Sequence, residues 1–179
     1  MIKLLILDVD GILTDGKKYY YSCGSVKYKT FCDKDWTAIK RFRALGINVV
    51  LLTGDSFNAA IAKNRNLDVI VNRTSDGHHT DKVEYLPAIC EKYQVTADEI
   101  IYVGDDTFDI RIMKSVKYAF CPSDSPNVVK TIAQTLNVKA GENVVAHLFD
   151  YLESSNLLPQ YELEDHLDKI YALDQKERF

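Results

Sequence analysis

Five short, unbroken apolar runs recur along the chain: IKLLIL at 2–7, INVVLL at 47–52, LDVIV at 67–71, IIYVG at 100–104 and YAFC at 118–121. Runs of this length, rich in Val and Ile and with no polar alternation, leave no face for water and read as strands covered on both sides. The segments between them carry helical spacing. From Asp35, the apolar Ile39, Phe42 and Leu45 fall on one face and Gly46 follows as a C-cap. From Thr80, TDKVEYLPAICEKY does likewise, with Pro87 giving a kink or a late start. Such alternation predicts an α/β, Rossmann-like three-layer fold with a central parallel sheet and ligands at the carboxyl ends of the strands.

Length and composition suit one domain, 1–179, with 46% hydrophobic residues to build its core. One segment breaks the alternation: KKYYYSCGSVKYKTF at 17–31 has strand formers on both sides of SCGS and reads as a projecting β-hairpin. A lone hairpin needs a packing partner, either its own domain or a second subunit. The charged tail from about 156 to 179 reads as helical, with Leu163, Leu167, Ile170 and Leu173 near helical spacing; it is expected to dock on the core or a neighbour, or to fray. A net charge of −4 argues against nucleic-acid and anionic-membrane partners, and leaves room for a local basic pocket that takes a small phosphorylated metabolite. The four cysteines show no zinc spacing and read as reduced thiols, and the opening run is too short for a signal or membrane segment, so a cytoplasmic location is expected.

Acids gather where the strands end. Asp8-Val9-Asp10-Gly11 follows the first strand, and in an extended chain Asp8 and Asp10 share a face unless a turn rotates one away. Thr53-Gly54-Asp55 follows the second, where a hydroxyl and a glycine-exposed N–H suit an anionic oxygen. Asp81-Lys82 opens a helix, and Gly104-Asp105-Asp106, with Asp109 beyond, follows the IIYV strand. Acids crowding a buried strand end call for a divalent cation with oxygen ligands, Mg²⁺ being the usual choice where phosphate completes the shell. In a parallel sheet these pieces converge on one edge.

In this order the motifs DVDGILTDG, LLTG, DK and VGDDTFD resemble those of the haloacid dehalogenase superfamily of phosphohydrolases, over residues 1 to about 121. The longer first motif followed by a hairpin is similar to the capless subclass of sugar-acid phosphatases, which act on octulosonate 8-phosphates and nonulosonate 9-phosphates. The intervals after Gly16 and Gly54 are too short for a cap domain. The resemblance implies Asp8 as nucleophile, forming an aspartyl-phosphate, and Asp10 as general acid and base. It implies Mg²⁺ held by Asp8, the Asp10 carbonyl and Asp105, with phosphate oxygens gripped by Thr53, Gly54 and Lys82 and with Asp106 and Asp109 in support. It also implies a homotetramer, whose assembly supplies what a cap would. Asp15 is expected to serve the turn into the hairpin.

The chain departs from this subclass in three places. Asp55 stands where octulosonate phosphatases carry Arg, an acid there being similar to the nonulosonate branch. Trp36 replaces a Gly, either reshaping the entrance or anchoring the core. KAGENVVAHLFDYL near the end lacks the Arg that relatives offer to the sugar carboxylate. Adjacent His78 and His79 are expected to face solvent rather than bind metal, and Tyr19, Tyr20 and Tyr21 to pack in a strand or an interface. Two readings of the same acids compete with turnover: a phospho-acceptor switch and a catalytically silent oligomeric module. A switch of the receiver kind places its Lys after a Thr near the last strand with no Gly-Asp-Asp following, an order this chain lacks.

Overall fold

The computed structural model describes residues 1–178. Its centre is a six-stranded parallel sheet in the order β5-β4-β1-β6-β7-β8. These are β1 (Leu4–Leu7), β4 (Asn48–Thr53), β5 (Asp68–Val71), β6 (Ile100–Val103), β7 (Tyr118–Cys121) and β8 (Gln134–Thr135). The first five coincide with the five apolar runs. The sixth, two exposed residues with no apolar run, gives no sequence signal at all.

The β1 strand is buried along its whole length because both faces are covered. Leu5 and Leu7 pack with helices α1 (Asp33–Ala44) and α6 (Val144–Ser154), while Leu4 and Ile6 pack with α3 (Leu86–Tyr93) and the short α4 (Ile110–Met113). The two-residue side-chain period of a strand divides the core in this way. The first long helix starts with Asp33 and Asp35 and ends with Arg41 and Arg43, the charge order its dipole favours. It stops where Gly46 takes φ +80° and its N–H returns to the Arg43 carbonyl. Pro87 lies in the first turn of α3, after a 3₁₀ turn over Lys82–Tyr85, so the late start is what the chain adopts.

Between β1 and β4 lie only α1 and an antiparallel hairpin of β2 (Tyr19–Tyr20) and β3 (Val26–Tyr28); α2 (Phe57–Asn64) separates β4 from β5. The hairpin strands are shorter than the predicted 17–31. Tyr19 and Tyr28 stack across them at 4.4 Å, with their outer faces in solvent. Trp36 is a core anchor: it is buried and leans on Phe31. The tail docks on the first helix through α7 (Leu163–Asp174), where Lys40 pairs with Asp174 at 2.6 Å, and just beyond it Glu177 pairs with Arg65, at the end of the helix over Phe57–Asn64, at 2.7 Å. Phe179, the last residue of the predicted tail, lies outside the described residues. Among the described residues no helix is long and apolar enough to cross a membrane.

Candidate active site

The sheet changes winding direction between β1 and β6, and the crevice at the carboxyl ends of those two strands receives the acids. Asp8 follows β1 directly and is buried. Its Oδ2 lies 2.7 Å from Lys82 Nζ, which also sits 2.7 Å from Asp109 Oδ1. Asp105 follows β6, and one oxygen each of Asp8, Asp105 and Asp109 lies within 4.8 Å of the others. Glycine makes this approach possible. A Cβ on Gly11, where φ is +89°, would stand 2.0 Å from Asp105 Oδ2, and one on Gly104 would stand 2.5 Å from the Asp109 carboxylate.

The three acids are not equivalent. Asp109 is fully committed: Oδ1 accepts from Lys82 and from Tyr102 Oη (2.6 Å), and Oδ2 from the N–H groups of Asp105 (3.0 Å) and Asp106 (3.1 Å). Among the described residues no hydrogen bond or ion pair reaches the Asp105 carboxylate, although it is half-buried. Burial, then Asp8, Asp109 and Asp106, push its carboxyl up to about 8. Burial also raises Asp8, with Lys82 offsetting only part of the effect. Lys82 is itself held well above the usual lysine range: burial opposes its charge, but Asp8 and Asp109 outweigh it. An unpartnered, half-buried carboxylate beside a second one, with only oxygen donors, fits a hard divalent cation held by Asp8 and Asp105.

Asp10 leaves this cluster. The strand ends at Leu7, and a turn in which the N–H groups of Ile12, Leu13 and Thr14 all return to the Val9 carbonyl swings Asp10 to the other wall. There Lys29 Nζ meets Oδ1 at 2.7 Å and Oδ2 at 2.9 Å, and Asn58 Nδ2 meets Oδ2 at 3.3 Å. The Lys29 side chain, delivered from just past the return strand of the hairpin, is 0% exposed and also pairs with Asp55 at 2.8 Å. Lys18, on the outgoing side, pairs with Asp55 at 2.9 Å. Burial would raise Asp55, but hydrogen bonds from Lys18, Lys29 and the Phe57 N–H hold its carboxyl well below the usual range. Sequence reasoning missed Lys18, Lys29 and Asn58, because nothing in a hairpin or a helix start marks which polar residue turns inward.

The remaining residues divide by position. Thr53 is buried at the end of β4, its hydroxyl oxygen accepting from Asn58 Nδ2 at 2.8 Å, while Gly54 lines the cavity with Asp8, Asp10 and Lys82. Asp106 is exposed and caps the 3₁₀ turn over Thr107–Asp109. Asp15 caps the turn into the hairpin, accepting from the Lys17 N–H at 3.0 Å. His79 is exposed but lies at the cavity mouth, 2.8 Å from Arg73. The cavity measures about 270 Å³, enough for a phosphate and part of what carries it.

A family model for haloacid dehalogenase-like hydrolases matches residues 28–117, half of the chain and the span that holds Thr53, Lys82 and Asp105. The chain belongs to this family; it is an enzyme, a phosphatase. It is 28% identical over 165 residues to the 3-deoxy-D-manno-octulosonate 8-phosphate phosphatase of Escherichia coli K12, covering 92% of this chain and 84% of that one. The cobalt-bound form of the Haemophilus influenzae octulosonate phosphatase superposes with a TM-score of 0.77 at 25% identity, over 87% of this chain and 90% of that one. The Moraxella catarrhalis enzyme, in complex with magnesium, phosphate and the sugar acid, shares the fold at a TM-score of 0.75 and 24% identity, over 87% and 88% of the two chains.

Proposed function

We propose that this chain is a Mg²⁺-dependent phosphatase of a small phosphorylated sugar acid, of the octulosonate 8-phosphate or nonulosonate 9-phosphate type, working through an aspartyl-phosphate. The observation that carries the reading is the buried Asp8–Lys82–Asp109 array beside the unpartnered Asp105, with Asp10 on the facing wall of one small cavity. Its likeness over nearly its whole length to octulosonate phosphatases supports the substrate class.

Asp8 attacks phosphorus in line. Its oxygen forms the new P–O bond as the bond to the sugar oxygen breaks, and Asp10 delivers a proton to that leaving oxygen. A water then attacks the aspartyl-phosphate, Asp10 takes its proton, and phosphate departs with the Asp8 carboxylate restored. Lys82, the Gly54 N–H and the Thr53 hydroxyl stabilise the phosphoryl oxygens as charge spreads over them. Lys29 and Asn58 hold Asp10 where the leaving oxygen emerges. Asp8, the Asp10 carbonyl and Asp105 would hold Mg²⁺, which would supply positive charge to offset repulsion between these acids and a phosphate dianion. Asp109 supports by fixing Lys82, and Asp106 by shaping the turn that presents Asp105.

We also infer a homo-oligomer, a tetramer as in capless relatives, because Tyr19, Tyr20, Tyr21 and Tyr28 cluster exposed on one hairpin. The scattered free thiols suit the cytoplasm. Phosphate release from a panel of sugar phosphates with Mg²⁺, comparing wild type with Asp8→Asn, tests the reaction. Turnover of a sugar-acid phosphate that disappears in the variant is expected. Surviving activity refutes the nucleophile, and turnover of unrelated phosphates alone refutes the sugar-acid assignment.

A further inference from the structure

The segment after β5 folds back on the site. Arg73 and His79 bridge across a turn in which the Gly77 N–H returns to Thr74 and the Thr74 N–H to His78. Two contacts clamp this loop onto the phosphate-side glycine. Arg73 Nε donates to the Gly54 carbonyl at 2.7 Å, and His79 covers Gly54 so closely that a Cβ there would stand 2.2 Å from His79 Cε1. Phe108 stacks on His79, with ring centroids 5.8 Å apart and planes 23° off parallel. Phe108 is a large apolar side chain 71% exposed within an acidic motif.

The two rings stand at a junction. The acid-lined cavity of about 270 Å³ and a neighbouring cavity of about 420 Å³ share Asn72, His79, Lys82 and Phe108 in their walls. The organic part of a phosphate seated against Lys82 has this neighbouring space open to it past the rings, while Arg73 lines the smaller cavity beside Gly54. Arg73 makes three hydrogen bonds, to Gly54, Gly77 and His79, and its guanidinium carries five N–H donors, so two remain for an anionic group at this mouth.

We propose that Phe108, His79 and Arg73 form the wall that selects the leaving group, the stacked rings packing against the C–H faces of a polyhydroxy chain or ring and Arg73 binding its carboxylate. The inference deepens the phosphatase reading and rests on it. Aromatic faces suit sugars because the C–H groups of a polyol gather on surfaces that its hydroxyls leave uncovered. A wall in contact with the non-reacting part of the substrate changes discrimination between phosphates rather than the phosphoryl transfer itself.

The test compares wild type with Phe108→Leu, which keeps an apolar side chain at an exposed position and removes the ring, and with Arg73→Gln. The first readout is the ratio of kcat/KM for 3-deoxy-D-manno-octulosonate 8-phosphate to that for glycerol 3-phosphate. The second is binding of the unphosphorylated octulosonate, followed by calorimetry. Each substitution is expected to lower the ratio by about tenfold, mostly through KM, and to weaken octulosonate binding by about the same factor. An unchanged ratio, or octulosonate binding that is absent in wild type or indifferent to Phe108→Leu, overturns the wall. Failure of the wild type to release phosphate from any ester refutes the phosphatase reading instead, and the binding measurement then still decides the wall.

Discussion

Replacing Lys29 with Met isolates what the hairpin contributes to the site. Lys29 Nζ lies 2.7 and 2.9 Å from the two Asp10 oxygens, 2.8 Å from Asp55 and 3.0 Å from Asn58 Oδ1, with its side chain 0% exposed. Methionine conserves most of the volume, so the cavity contribution is small and the loss is electrostatic. Removing one member of a buried ion pair costs about 3–5 kcal/mol, because the partner charge stays buried alone. Here the acids keep some water, 23% and 17% of their side-chain surfaces, and Lys18 remains 2.9 Å from Asp55. The expected cost is therefore about 2–3 kcal/mol, or about 5–10 °C in Tm for a chain of this size. Urea unfolding followed by the fluorescence of Trp36, the single tryptophan, reads it directly. The double variant Lys29→Met/Asp10→Asn should regain about 1 kcal/mol or more by neutralising the carboxylate that loses its nearest ammonium, Lys18 standing 3.7 Å from it. A loss in the single variant below about 0.5 kcal/mol, or a double variant no more stable than the single, refutes the electrostatic account. The same substitution should lower kcat by about tenfold or more with less effect on KM, since Asp10 loses the contact that aims it.

Three other outcomes follow from the geometry. Gly11→Ala should abolish turnover, by at least about 100-fold, since φ is +89° and the new Cβ would stand 2.0 Å from Asp105 Oδ2; activity within about tenfold of wild type in a kcat assay would contradict the close approach. Asp105, pushed up to about 8, is protonated without a cation below that pH, so Mg²⁺ affinity by calorimetry should weaken about tenfold per unit as pH falls from about 8 to about 6, and Asp105→Asn should bind at least about 100-fold more weakly with little pH dependence. Asp35 accepts from the Val145 and Ala146 N–H groups, yet burial raises its carboxyl to about 6 from 3.8. A raised carboxyl stabilises the fold below its unfolded pKa and loses that contribution as pH rises through the folded one. Wild type should thus lose about 1–3 kcal/mol relative to Asp35→Asn between about pH 4 and about pH 7, and parallel urea midpoints across that window would show that burial does not act on Asp35.

The strands, the order of the four motifs and the edge on which they meet were legible in the sequence, because each is local. An apolar run such as LLIL can be satisfied only between two covering layers, and parallel strands bring Asp8, Thr53 and Asp105 to the same end wherever the crossovers run. Trp36 illustrates the limit: its identity allowed either an entrance or a core role, and only the packing of α1 against the sheet buried it. The division of labour among the acids was likewise tertiary. Asp8 and Asp10 lie two residues apart, yet a turn sends one to Lys82 and the other to a lysine nineteen positions along the chain. Asp109 is saturated with donors while, among the described residues, Asp105 has none, a distinction set by which side chains the folded chain brings within hydrogen-bond distance. Buried charge must find its partner in space, and spacing along the chain does not encode which partner that is.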